Sequence, residues 1–247
     1  PVCDRRAVRS TGLLWDSRGC FASTVMVPDM DAAFRTLQDA GWNGYSDPLE
    51  SKGPPLHFRK VRMQGMDGLV LGLIERIDPP LDGWPDFDGF SHPFSMSLVT
   101  GDLARTRAFY EDLLGFAVYL EGHGRPKRPV ETLSGFPINW SDRITGHYVI
   151  ARPPPADAPR GRIEILAYDE TEGRDFAEAA APPNLGVFLL RYPVGDVDRL
   201  AADLTARGAR VIYPPTDLTV NGDGRVRSLA VATPHGGWLE FFAPIRD

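Results

Sequence analysis

The chain has 247 residues, 43% of them hydrophobic and 24% charged, with 27 Lys and Arg against 33 Asp and Glu for a formal net charge of −6. This is an ordinary globular composition with material for a substantial core, and it predicts neither a membrane span nor a secretory leader. The acidic balance argues against nucleic acid as a partner, and the two cysteines, Cys3 and Cys20, offer no metal-ligand spacing or disulfide framework, which predicts a cytoplasmic setting.

In chain order, residues 1–20 read as a linker-like N-terminal segment, followed over residues 21–77 by the first of three similar modules. Its strand from Thr24 runs into Asp29, an amphipathic helix and Gly41. Residues 78–91, DPPLDGWPDFDGFS, are a turn-rich linker. Residues 92–247 hold the second and third modules, 92–168 and 184–244, which start on strands at Ser95 and Leu189 and place Asp102 and Asp196 where the first has Asp29. A short helix is expected between them in DETEGRDFAEAAAPPN.

Each Asp is placed to cap a helix by accepting from first-turn amides, and Gly41, Gly115 and Gly208 are placed to end the helices in the left-handed conformation. Phe34, Leu37 and Ala40, and likewise Phe109, Leu113 and Leu114, mark a buried stripe at helical spacing. In the strand at Ser95, Phe94, Met96 and Leu98 alternate with Ser95 and Ser97, which predicts a half-buried strand with a more polar second face.

Each module closes on a strand after a Gly turn, MDGLVLGLIER, RGRIEILAY and HGGWLEFFAP, and the last two carry Glu164 and Glu240 inside the apolar run. A carboxylate there is costly to bury unless it faces a cavity or a partner, so these glutamates are the leading chemical candidates. A salt bridge to an arginine is the structural alternative. The long insertion EGHGRPKRPVETLSGFPINWSDRITG in the second module is a candidate lid.

The segment LVTGDLARTRAFYEDLLGF and the GxxxE strand ends resemble the vicinal oxygen chelate superfamily, which includes glyoxalase I, extradiol dioxygenases and bleomycin-resistance proteins; the likeness extends from about Cys20 to Pro244. The resemblance implies an α+β fold of repeated βαβββ modules paired into a curved-sheet cup. It also implies metal ligands on first and last strands, which fall here on Ala22, Ser95 and Leu189 and on Gly72, Glu164 and Glu240. None of these is histidine, so no cofactor is predicted and a divalent metal is disfavoured. Within this frame the second and third modules are expected to share the main cup. The first would be left to pair with a module missing upstream, or with its counterpart in another chain as a homodimer.

Strand alternation then puts Leu189 and Arg191 on one inner face with Trp238, Glu240 and Phe242. Glu240, Glu164 and Arg191 are the candidate catalytic residues, a glutamate serving as base if burial raises its pKa and Arg191 binding an oxyanion, unless Arg191 only neutralises a glutamate. Ser95, Ser97, His147, Leu189, Trp238 and Phe242 are candidate ligand contacts, with packing as the alternative role for His147. His123 and His235, in Gly-rich loops, are expected at solvent or a cup rim, and His92 at the surface. The expected function is a metal-independent lyase or isomerase acting on a small oxygenated or aromatic molecule. Alternatives are a drug- or metabolite-sequestering protein of the bleomycin-resistance type and a metal-dependent dioxygenase or glyoxalase with displaced ligands.

Overall fold

The computed structural model describes residues 5–9, 13–53, 55–80, 84, 87–155 and 160–245; Cys3 and part of the expected linker at 78–91 lie outside them. The first module is β1 (Cys20–Met26), α1 (Met30–Asp39), β2 (Asn43–Gly44), β3 (Leu49–Gly53), β4 (Leu56–Gln64) and β5 (Val70–Asp78). The second is β6 (Ser95–Val99), α2 (Leu103–Ala108), β7 (Ala117–Gly124), α3 (Ile138–Ser141), β8 (Gly146–Arg152) and β9 (Arg162–Tyr168). The third is β10 (Leu189–Pro193), α4 (Val197–Ala206), β11 (Val211–Val220), β12 (Gly224–Ala232) and β13 (Trp238–Pro244).

The repeat signals hold at all three helices. Asp29, Asp102 and Asp196 each accept a 2.9 Å bond from the amide three residues on, at Ala32, Arg105 and Arg199. Gly41, Gly115 and Gly208 follow with φ of +85°, +73° and +81°, a conformation that costs glycine little and a β-carbon-bearing residue more. In α1 the buried positions are Met30 and Ala33, while Ala40, expected in the stripe, caps the exposed helix end.

The pairing of modules differs from the expectation. β1 and β6 run antiparallel, with Ala22 opposite Ser97 and Thr24 opposite Ser95. The first and second modules therefore share one nine-stranded sheet in the order β2-β4-β5-β1-β6-β9-β8-β7, with β3 on β4. The third forms a separate four-stranded sheet, β10-β13-β12-β11. The first module already has its mate within the chain, so a homodimer through an unpaired first module is not what this topology offers; of the strands that open the three modules, β10 is the one left at a sheet edge.

The second and third modules do meet, but through their helix-side faces. Leu98, Tyr110, Val149, Ile163 and Ile165 of one pack in a single core with Val197, Leu204, Leu229, Leu239 and Phe241 of the other. Burying such side chains is worth roughly 1.5–3 kcal/mol each. A seam hydrogen bond adds to it, from the Tyr192 hydroxyl to the Gly161 carbonyl at 3.0 Å.

The described part of the N-terminal segment is packed rather than a free linker. The buried Arg9 guanidinium donates to the carbonyls of Arg18, Leu13 and Asp16, each at 2.9 Å, and Ala7 bridges to Leu185 of the segment between the later modules. That segment, where a short helix is expected, folds as successive turns.

Candidate functional site

The concave face of the nine-stranded sheet encloses a cavity of about 460 Å³, a size that suits a small molecule. Alternation selects its lining. On β4, Phe58, Lys60 and Arg62 face the cavity, while Val61 and Met63 enter the core beneath α1. On β9, Arg162, Glu164, Leu166 and Tyr168 face it while Ile163 and Ile165 join the core on the other side. Phe94, Tyr119, Tyr148 and Ile150 supply much of the apolar wall. Leu133 and Ser134 of the long insertion complete it, so that candidate lid forms a wall of the cup.

Glu164 is the one carboxylate lining this cavity among the described residues. Lys60 Nζ lies 3.2 Å from its Oε1 and Arg62 Nη2 3.3 Å from its Oε2, and the Ser97 hydroxyl donates a short hydrogen bond to Oε2. Arg62 also donates to the Leu133 carbonyl at 2.8 Å, tying the insertion to the floor. Burial by itself pushes the Glu164 carboxyl up, but the charges of Lys60 and Arg62 and the Ser97 bond outweigh it and hold the group down at about 2. The condition under which Glu164 would serve as a base, a pKa raised by burial, is not met, and the carboxylate is held ionised as a counter-ion. Burial lowers the Lys60 ammonium from its ordinary range, with Glu164 opposing and Arg62 assisting.

Arg191 and Glu240 do not join Glu164, because they lie on the other sheet. Arg191 Nε is 2.9 Å from Glu240 Oε2 and its Nη1 is 2.5 Å from Asp223 Oδ2, while its guanidinium lies 4.3 Å from the Phe242 ring centroid. The Ser228 hydroxyl donates to Glu240 Oε1 at 2.7 Å and meets the Tyr213 hydroxyl at 2.9 Å. The expected shared face of Arg191, Glu240, Trp238 and Phe242 exists, and Leu189 lies opposite Trp238 in register, but all five belong to the third module. The neutralising alternative describes the Arg191–Glu240 pair.

Ser95 lines the cavity and Ser97 bonds Glu164, as their strand face requires. His147 is a correction. Tyr148 and Ile150 take the cavity face, leaving the His147 ring on the opposite side, with Nε2 2.9 Å from Asp169 Oδ2 and its ring stacked on that of His123. His235 is buried against Tyr110, not at a rim, and burial together with Arg18 lowers its pKa to about 3.

The family model described as Glyoxalase/Bleomycin resistance protein/Dioxygenase superfamily matches residues 90–241, well over half of the chain. The chain belongs to this superfamily. No curated protein sequence matches it. Among solved structures, glyoxalase I from Zea mays aligns at 14% identity with a TM-score of 0.56, over 92% of this chain and 68% of that one. A putative dioxygenase from Bacillus subtilis subsp. subtilis str. 168 aligns at 12% identity with a TM-score of 0.54, over 93% of this chain and 63% of that one. Likeness at this identity carries the fold and leaves the chemistry to the site.

The superfamily resemblance implies a metal between paired modules, and the residues of this cup do not suit one. The candidate ligand positions on its strands are Ala22, Gly72, Ser95 and Glu164, and among the described residues no three His, Cys, Asp or Glu converge. Both Glu164 oxygens already face cations, so a divalent ion would enter against the charges of Lys60 and Arg62.

Sequence reasoning missed the cations. Lys60 and Arg62 alternate with Phe58 in HFRKVRMQ, and Arg162 stands two residues before Glu164, a period-two signal readable in the sequence. What the sequence lacked was the knowledge that β4 and β9 share one concave face.

Proposed function

We propose that this superfamily member binds a small oxygenated molecule with an aromatic or apolar body in the cup between its first two modules, and holds it without a metal. The observation that carries this reading is the Lys60–Glu164–Arg62 cluster. It occupies the place where a metal site is expected and leaves fixed hydrogen-bond donors at the floor of an otherwise apolar and aromatic cavity. Fixed polar groups on a greasy wall orient a ligand and confer specificity.

The test is a thermal-shift screen of small aromatic and oxo acids against the wild type and Ile150→Trp, whose larger side chain fills the cavity. Compounds that stabilise the wild type and not the variant support the reading. Stabilisation that survives the filled cavity counts against it.

A second reading, a proton-transferring isomerase or lyase, is favoured by one observation. The Lys60 ammonium is buried at the cavity wall with a lowered pKa, which brings its proton nearer to exchange with a ligand oxygen or carbon. The two readings separate at Lys60→Met. An enzyme would lose turnover while retaining ligand binding, whereas a sequestering protein has no turnover to lose.

A further inference from the structure

The cavity carries more positive charge than its floor accounts for. Lys60 and Arg62 are matched by Glu164, but Arg76 on β5 and Arg162 on β9 also line it. Neither of these two guanidinium groups has a hydrogen bond or a carboxylate partner among the described residues, and the Nε of each is buried without an acceptor. Both project into the same cavity from its concave face. Ser95 lies opposite Arg162 in register, Arg76 lies opposite Phe58, and the pKa of Arg162 is lowered first by burial and then by the charges of Arg152 and Arg76. Aromatic rings frame Arg162: its guanidinium stands 5.0 Å from the Tyr119 ring and 5.7 Å from that of Phe94.

Like charges brought together at a partly buried wall are costly, and proteins keep them where an anion completes the arrangement. A guanidinium offers a planar fork of donors that matches the oxygens of a carboxylate or phosphate. Resting on the reading of the cup as a ligand site, we infer that Arg76 and Arg162 form an oxyanion subsite, and that the ligand carries a carboxylate, phosphonate or phosphate on a flat apolar body. Its anionic end lies between the two guanidinium groups, its body against Phe94, Tyr119 and Ile150, and its far end toward Lys60 and Glu164.

The test is calorimetric titration with three probes that share a ring, phenyl phosphate, benzoate and benzyl alcohol, into wild type, Arg76→Gln, Arg162→Gln and the double variant. The subsite predicts that at least one anion binds about tenfold or more tightly than the alcohol, and that each single substitution removes about tenfold of that affinity while leaving the alcohol within about twofold. The alcohol also reports that the variants are folded. The stronger of the two anions identifies which oxyanion the site prefers. An anion preference that persists in the double variant overturns the subsite, as does binding of all three probes with equal affinity, and in either case the cup remains a ligand site. If no probe binds, the ligand-site reading falls and the subsite with it.

Discussion

Lys60 on β4 of the first module reaches Glu164 on β9 of the second, Nζ to Oε1 at 3.2 Å, so the floor of the cup is also a clasp between the two halves that form it. Arg62 makes a second contact across the same seam.

Glu164→Gln should therefore destabilise the protein, because it leaves two nearly buried cations facing a neutral amide. Breaking a buried pair costs about 3–5 kcal/mol, and urea denaturation of the variant should show a loss on that order. An unchanged midpoint would mean that the cluster is solvated and the clasp absent.

The same carboxylate sets an acid limit. Its pKa is about 2 in the fold against 4.5 for the free group, so its contribution is complete above about pH 4.5 and is lost as the pH falls through about 2. Stability of the wild type should drop through that window by on the order of 3 kcal/mol more than that of Glu164→Gln, which keeps only the loss due to other groups. Denaturation curves at a series of acidic pH values distinguish the two.

His235 adds a second acid limit at higher pH. Buried against Tyr110, it has a pKa of about 3 against 6.5 when free, so the fold excludes its protonated form. Its contribution is complete above about pH 6.5 and falls away as the pH drops toward 3. His235→Phe keeps a ring on Tyr110 and removes the charge, so between pH 6 and pH 4 its stability should decline by roughly 2 kcal/mol less than that of the wild type. Parallel slopes would show that another group controls that window.

Arg191→Gln should weaken the third module and leave the cup alone. Its partners Glu240 and Asp223 are on the four-stranded sheet, and none of the three lines the cavity. Ligand affinity measured by calorimetry should stay within about twofold of wild type, since sites without shared partners act nearly independently. A large loss of affinity would place the Arg191–Glu240 pair in the binding site after all.

The helix caps, the left-handed glycines and the strand faces were legible because each is a local consequence of a few residues. Asp29, Asp102 and Asp196 announced their helices, and the serine face at Ser95 and Ser97 announced the cup. The partnering of modules was not legible, because all three first strands present similar backbone edges and the choice depends on which helix faces bury the most surface. Tyr110, Val149 and Ile163 on one side, and Leu204, Leu229 and Phe241 on the other, settle it by packing the second and third modules through that face. The site followed the topology. Glu164 remained in the cup, Arg191 and Glu240 went elsewhere, and Lys60, Arg62, Arg76 and Arg162 came in from strands whose inner face only the pairing defines.

The most direct test of a metal-free cup is a calorimetric titration of benzoate into protein stripped with a chelator and into the same protein supplied with zinc. Ligand held by the cup's own side chains should bind with equal affinity in both samples and lose its binding in Ile150→Trp. Binding that appears only with the metal would contradict this, since a divalent ion would then sit where Lys60 and Arg62 meet Glu164.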